Sequence, residues 1–443
     1  MSLFLRFLSC AIMRFTLTAA TLPPTEPPLI PERPFLAVWN ARTEECQRLD
    51  IPLDTAAFQA VTTPASIPGQ FLTIFYENRL GLYPKVDRVR QKRHAGGVPQ
   101  NGNLTAHLLK ARRQIRRYIA DDQSPGLVVI DWESWRPLWA QNWGAKRIYR
   151  KLSIANALEA SPFLSLRKIS QLAADQFQRA GRDFMEKTIE LGVAERPSRR
   201  WGFYLFPDCY NYGWDRPDYT GRCSAEAREQ NRELMWLWER STALFPSVYL
   251  HPALRDSPQA VLYVRYRVGE ALRAAALPGR PYAVPTYVYS RALYRGQKRI
   301  FETPADLVST VGESAALGAA GVVMWGGGGD YDDQVSCQAL SDYMTATLNP
   351  YLANVTAAAT LCSRTLCQGR GRCVRRNFNS SAYLHLDAGR FGILRADGKY
   401  VAVGLPSARN LDAWAREFTC QCYVGQGCEP RLTPPVAVQV IRV

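Results

Sequence analysis

The apolar run Gly126-Leu-Val-Val-Ile ends abruptly in Asp131-Trp-Glu133, the segment with the most evident chemistry in this 443-residue chain. In a β-strand successive side chains alternate, so Asp131 and Glu133 point one way, with α-carbons roughly 6.5 Å apart, and Trp132 points the other. Two like charges so close resist joint ionisation, and one of the pair should keep its proton near mildly acidic pH. A retained proton can be delivered to a leaving oxygen, which is general acid catalysis. The plain structural alternative is that both acids pair with Arg136 or cap a helix. Glycosidases built on two carboxylates hold them on opposite faces of the scissile bond, about 5 to 9.5 Å apart, which adjacent same-side positions of one strand hardly provide. One acid would then protonate the leaving oxygen while the nucleophile comes from elsewhere. The carbonyl oxygen of an N-acetyl group beside the reacting carbon is such a nucleophile, with Asp131 orienting or polarising it.

Other chemistries find less support. The histidines are four, His94, His107, His251 and His385, without metal-ligand or triad spacing, so neither a metal nor a cofactor is expected. Tyr76, Tyr204, Tyr249, Tyr287 and Trp325 lie at the ends of other apolar runs. A single buried aromatic is usually core. Aromatics recurring at one end of consecutive strands suit a carbohydrate cleft, because sugar rings stack on flat faces and tyrosine hydroxyls reach polar groups.

These residues need a scaffold that brings strand ends together. Candidate strands are 35–39, 71–76, 126–132, 202–206, 247–250, 284–289 and 321–325, several of them almost wholly apolar. Helical patterns lie between them, at 105–120, 225–244, 264–276, 304–317 and 337–348, and Phe177, Ala180, Phe184, Thr188 and Leu191 form one face of a helix expected to stop at Gly192. The alternation predicts an α/β fold, a distorted (β/α) TIM-like barrel of about seven parallel strands over 34–355. In such barrels the carboxyl ends of strands face the active site, where Asp131 and Glu133 fall. From about Leu361 cysteines become dense. The spacing C-x4-C-x5-C, then C-x-C-x5-C, resembles an epidermal-growth-factor-like module over 361–430, with an expanded middle and a tail at 431–443. Such a module binds a protein partner or braces its neighbour.

Residues 1–20 read as a secretory signal interrupted by Arg14, and 21–33 as a proline-rich leader. Ten cysteines remain after the signal: Cys46, Cys209, Cys223, Cys337, Cys362, Cys367, Cys373, Cys420, Cys422 and Cys428. An even set suits disulfides in an oxidising compartment, whereas zinc lacks its paired knuckles. Asn103, Asn354 and Asn379 begin glycosylation sequons. No apolar window is long enough to span a membrane, and Val436–Val443 is too short for a lipid-anchor tail. The destination expected is extracellular, lysosomal or cell-surface. Lys and Arg total 55 against 39 Asp and Glu, a net +16 that favours polyanions, but no nucleic-acid-binding signature accompanies it.

The stretches Arg33-Pro-Phe, Thr73-Ile-Phe-Tyr-Glu-Asn-Arg-Leu-Gly-Leu-Tyr-Pro, Gly96-Gly-Val-Pro-Gln-Asn, Ile130-Asp-Trp-Glu-Ser-Trp-Arg-Pro, Trp201-Gly-Phe-Tyr-Leu-Phe-Pro-Asp-Cys-Tyr-Asn and Gly312-Glu-Ser-Ala-Ala-Leu-Gly-Ala-Ala-Gly-Val resemble the animal hyaluronidases, glycoside hydrolase family 56, across about residues 33–430. Within that family, Tyr204-Leu-Phe-Pro-Asp-Cys and Ser241-Thr-Ala-Leu-Phe-Pro-Ser-Val-Tyr-Leu are most similar to the second somatic type. The resemblance implies a barrel followed by the cysteine-rich module, and endo-hydrolysis of β-1,4 bonds between N-acetylglucosamine and glucuronate in hyaluronan, with retention. It implies Glu133 as acid/base, Asp131 as the partner that positions the N-acetyl group, and Tyr204 and Tyr249 in contact with that group. Tyr76, Arg136, Arg267, Tyr287 and Trp325 would line the groove. It also implies the pairs Cys46–Cys337, Cys209–Cys223, Cys362–Cys373, Cys367–Cys420 and Cys422–Cys428. No cofactor is implied, and a monomer is expected. Departures from the family are the glycine run Gly326–Gly329, a short Cys422–Cys428 interval and no anchor tail of the second type. The alternatives are a weakly active or inactive hyaluronan- or surface-binding protein on the same scaffold, and a chitin or chondroitin hydrolase.

Overall fold

Strands covered on both faces must be apolar on both faces, and the apolar runs form parallel strands of that kind. The computed structural model describes residues 22–62, 67–90 and 92–443, so the signal expected at 1–20 lies outside the described residues. The parallel strands are β1 (Leu36–Ala41), β2 (Ala60–Val61), β3 (Leu72–Tyr76), β4 (Gly126–Asp131), β5 (Arg199–Phe203), β6 (Tyr287–Ser290) and β7 (Gly321–Gly326). They form two sheets, ordered β2-β1-β7-β6 and β3-β4-β5.

Isolated parallel bridges, Tyr204 with Phe245, Leu244 with Thr286 and Ser247 with Tyr289, carry the chain from the end of β5 to β6. The strand expected at 247–250 is therefore not a ladder of its own. Pro246 has no N–H to donate, so only single bridges form on either side of it. The two-residue β2 was not among the candidate strands, being too short for any periodicity to show.

Alternation along the strands divides the core. Leu72, Ile74, Leu127, Val129, Tyr287, Tyr289 and Val323 pack with one another on one side. Phe75, Val128, Ile130, Trp201 and Phe203 face another cluster, to which Phe177, Phe184 and Ile189 of α2 contribute.

The helices that cover the sheets include α1 (Leu104–Tyr118), α2 (Leu166–Glu195), α3 (Pro258–Ala275) and α4 (Asn349–Leu366). Asn103 caps α1, its side-chain oxygen accepting the Ala106 N–H. α2 runs past Gly192 to Glu195. That glycine is there for packing, since a Cβ on it would lie 2.5 Å from the Trp201 ring.

α4 also runs through the boundary expected between 355 and 361, carrying Cys362 towards the carboxyl-terminal region. That region holds β8 (Gly371–Arg375), β9 (Phe391–Ala396), β10 (Lys399–Gly404), α5 (Ala408–Glu417), β11 (Phe418–Cys422) and β12 (Gln439–Arg442). β8 pairs with β11, while β9, β10 and β12 make a three-stranded antiparallel sheet. Residues 439–442, expected as tail, are thus a sheet strand. The leader is likewise strapped down: Thr25 donates to the Cys422 carbonyl at 2.9 Å and Ala283 to the Pro24 carbonyl at 2.7 Å.

Five disulfides join Cys46–Cys337, Cys209–Cys223, Cys362–Cys373, Cys367–Cys420 and Cys422–Cys428. Where the cysteine-rich region meets α3, the fully buried Glu313 pairs with Arg265 at 2.7 Å and with Arg375. The same arginines donate to the carbonyls of Phe378, Asn379, Ser380 and Ala382, holding the expanded loop.

Candidate active site

Leu127, Val129 and Asp131 share a face of β4, and the first two lie in the layer that also holds Tyr287, Tyr289 and Val323. Asp131 is thus the last residue of that row. Its register partner on β3 is Tyr76. Trp132 points the other way, into the packing of Tyr83, His107 and Phe203. Glu133 follows the strand with its side chain 49% exposed.

The backbone beyond the strand is held by a residue to which the sequence reading gave no role. Glu77 Oε1 accepts the N–H groups of Glu133 at 3.3 Å and Ser134 at 3.0 Å, and the Ser134 hydroxyl at 2.5 Å. Its other oxygen pairs with Lys85 at 2.8 Å. Lys146 donates to the Glu133 carbonyl. Burial, followed by the charge of Arg136, pulls the Lys146 ammonium down to about 8.

Asp131 is the member of the carboxylate pair that keeps its proton. Burial first, then the neighbouring charges of Glu133 and Glu77, push its carboxyl from 3.8 up to about 8, with Arg136 opposing. The spacing on the strand predicts one raised acid, and enclosure selects the inner one.

Aromatic rings form the facing walls of a cleft of about 260 Å³ that includes Asp131, Glu133, Tyr204, Tyr249, Tyr289 and Trp325. Tyr249 stacks on Trp325 with ring centres 5.9 Å apart, and the Trp325 indole N–H donates to the Tyr76 hydroxyl at 3.2 Å. The Tyr204 hydroxyl donates to Ser247 Oγ at 3.3 Å, and burial raises its ionisation well above the ordinary phenol range. Tyr204 and Tyr249 therefore stay neutral donors at working pH.

Some expected groove residues sit elsewhere. Tyr287 is buried against Phe245 and does not line the cleft; Tyr289, two residues on along the same face, does. Alternation gives the face of a strand but not the depth along it. The buried hydroxyl of Tyr289 has no hydrogen-bond partner among the described residues, so a bound polar group would satisfy it. Arg136 is buried behind Glu133, its Nη2 3.9 Å from Oε2 and its guanidinium over Phe206. Arg267 reaches the cleft wall but is held by Asp208 at 3.0 Å and Asn211 at 2.9 Å, against the Tyr263 ring. Arg291, Arg295 and Tyr212 also line the cleft and were not among the expected residues.

Of the sequons, Asn103 and Asn379 are exposed. Asn354 lies within α4, where its carboxamide both donates to and accepts from the Leu386 backbone, and Thr356 is buried. Among the described residues no group of His, Cys, Asp and Glu is placed to hold a metal ion, and no helix is long and apolar enough to cross a membrane.

A carboxyl pair at a parallel-strand end, one member neutral and one solvent-facing, in a cleft lined with stacked aromatic rings, has the character of a glycoside hydrolase site. A family model described as hyaluronidase matches residues 24–432. Mouse hyaluronidase-5 is 45% identical, the alignment covering 91% of this chain and 77% of the relative. Human hyaluronidase PH-20 is 43% identical over 91% of this chain and 80% of its own, and human hyaluronidase-2 is 43% identical over 92% and 87%. Among solved structures, bee venom hyaluronidase in complex with a hyaluronic acid tetramer superposes with a TM-score of 0.64 at 31% identity, covering 71% of this chain and 98% of that one. The chain belongs to the hyaluronidase family.

Proposed function

We propose that this protein hydrolyses the β-1,4 bonds of hyaluronan between N-acetylglucosamine and glucuronate, with retention, using the substrate's own acetamide as nucleophile. The observation that carries the reading is the neutral, enclosed Asp131 beside the solvent-facing Glu133, in one cleft with Tyr204 and Tyr249. Burial and the neighbouring charges of Glu133 and Glu77 hold a proton on Asp131 up to about pH 8.

Glu133 gives a proton to the bridging oxygen as the acetamide carbonyl oxygen bonds to the sugar C1 and the C1–O bond breaks. A cyclic oxazolinium forms, and the shortened chain leaves with a hydroxyl. Asp131, together with the hydroxyls of Tyr204 and Tyr249, orients the acetamide. Asp131 passes the proton it holds to Glu133 in this step, and the positive charge developing on the acetamide stabilises the Asp131 carboxylate so formed more in the transition state than in the ground state, which is where rate enhancement arises; the proton that Glu133 later takes from water returns to Asp131. Glu133 then takes a proton from water as that water attacks C1, restoring both the acid and the original configuration.

In the same reading, the two parallel sheets joined by single bridges are arcs of one distorted (β/α) barrel, and the cysteine-rich region is an epidermal-growth-factor-like module enlarged by β9, β10, α5 and β12. The module braces the barrel through Glu313 and offers its outer face to a partner. Five disulfides support passage through the secretory pathway to an extracellular, lysosomal or cell-surface site.

The test is incubation with high-molecular-weight hyaluronan, chondroitin and chitin across acidic to neutral pH. Wild type should fragment hyaluronan, and Glu133→Gln should lose about 10³-fold in kcat while still binding it. Cleavage undiminished in Glu133→Gln would refute the assignment.

A further inference from the structure

We infer that Arg291, assisted by Arg295 on the same loop, receives the substrate's carboxylate and sets a preference for a uronate-containing polymer over a neutral one; this rests on the hydrolase reading above. The position comes from β6. Tyr289 at its end lines the cleft, and Arg291, two residues further, lines it as well, followed by Arg295. The Arg291 guanidinium lies 5.7 Å from the Tyr249 ring centre and 5.4 Å from that of Trp325, so it rests on the stacked pair that walls the cleft.

A guanidinium offers five donors. Asp330 Oδ2 engages Nη2 at 2.5 Å, while the buried Nε has no partner among the described residues. The same Asp330 oxygen accepts the Gly327 N–H at 2.6 Å, so its charge is shared between the arginine and the turn. A Cβ at Gly327 would make only ordinary contacts, 3.5 Å from Asp330 Oδ2 and 3.6 Å from Trp325, and one at Gly329 would meet nothing within 4 Å, so the turn beside Asp330 is uncrowded.

The charges of the cleft are segregated. Asp131 and Glu133 stand on β4 and just beyond it, with Glu77 behind. Arg291 and Arg295 stand beyond β6. Arg267, the third cation of the lining, has its side chain only 3% exposed and is held by both Asp208 and Asn211, whereas Arg291, 9% exposed, has Asp330 alone as its acidic partner. A polymer that alternates a neutral acetamido sugar with an anionic uronate matches this division. Seating the acetamide at Asp131 keeps the neighbouring carboxylate from the acids and turns it toward Arg291 and Arg295, where charge-assisted hydrogen bonds form.

The experiment compares hyaluronan with the same polymer after its carboxylates are reduced to primary alcohols, measuring kcat/KM on both for wild type, Arg291→Gln, Arg291→Lys and Arg295→Gln. The ratio of hyaluronan to reduced polymer should fall about tenfold in Arg291→Gln, mostly through KM. Arg291→Lys should recover part of the ratio, and Arg295→Gln should lower it less. Equal losses on both polymers, or an unchanged ratio, would overturn the inference. Arg295→Gln, at an exposed position, carries the same decision should Arg291→Gln not fold. Wild type that binds hyaluronan but releases no fragments would overturn the hydrolase reading alone, and the ratio of Kd values for the two polymers would then decide on Arg291.

Discussion

At the scale of single residues, strand alternation is enough to place Asp131 and Glu133 on one side and to require that one of them be hard to ionise. Which one is a matter of enclosure, and enclosure comes from Tyr204, Tyr289 and Glu77 on other parts of the chain, beyond the reach of local pattern. The same limit explains Tyr287: the face was legible, the depth was not. Glu77 stood inside a quoted motif, yet its work on the Glu133 backbone needed the β3 and β4 ends side by side. The raised carboxyl has a thermodynamic signature. Asp131 holds its proton up to about pH 8 when folded but only to about 3.8 otherwise. Its contribution to stability is therefore complete below about pH 4, declines as pH rises and the unfolded state alone releases the proton, and is lost through about pH 8. Asp131→Asn should raise Tm at pH 7 to 8 with little change at pH 4. Thermal scans across pH check this, and a pH-independent difference would contradict it.

Among the elements, apolar runs located most parallel strands because burial on both faces leaves an unmistakable composition. The pattern failed where backbone chemistry intervened, at Pro246, and where length was too small to carry a period, at β2. Gly192 shows a different ambiguity. A glycine near the end of a helical pattern suggests a stop, but here it admits the Trp201 ring and α2 continues. Since the ring sits within van der Waals overlap of any Cβ, Gly192→Ala should destabilise the fold by about 1–3 kcal/mol, measured by urea denaturation. A neutral or stabilising result would show that Gly192 is tolerated only as a poor helix former.

For the whole molecule, the expected division into barrel, module and tail understates how the parts are joined. α4 crosses the boundary, β12 returns to the sheet of the module, and the leader hydrogen-bonds to both regions. These are long-range contacts, invisible to composition. At the joint, Glu313 sits between Arg265 and Arg375 without solvent. Glu313→Ala would leave two buried guanidiniums unpaired and should cost about 3–5 kcal/mol, seen as a lower denaturation midpoint and faster proteolysis near the 378–382 loop. Undiminished stability would place the joint's strength elsewhere. The net charge of +16 belongs to the whole chain and suits an anionic polymer, but in the proposed mechanism the chemistry rests on the acetamide. Turnover of hyaluronan set against its de-N-acetylated form, at matched chain length and pH, probes that most directly. Loss of cleavage on removing the acetyl groups, with the polymer still bound, is the predicted result; equal rates on both polymers would contradict the account.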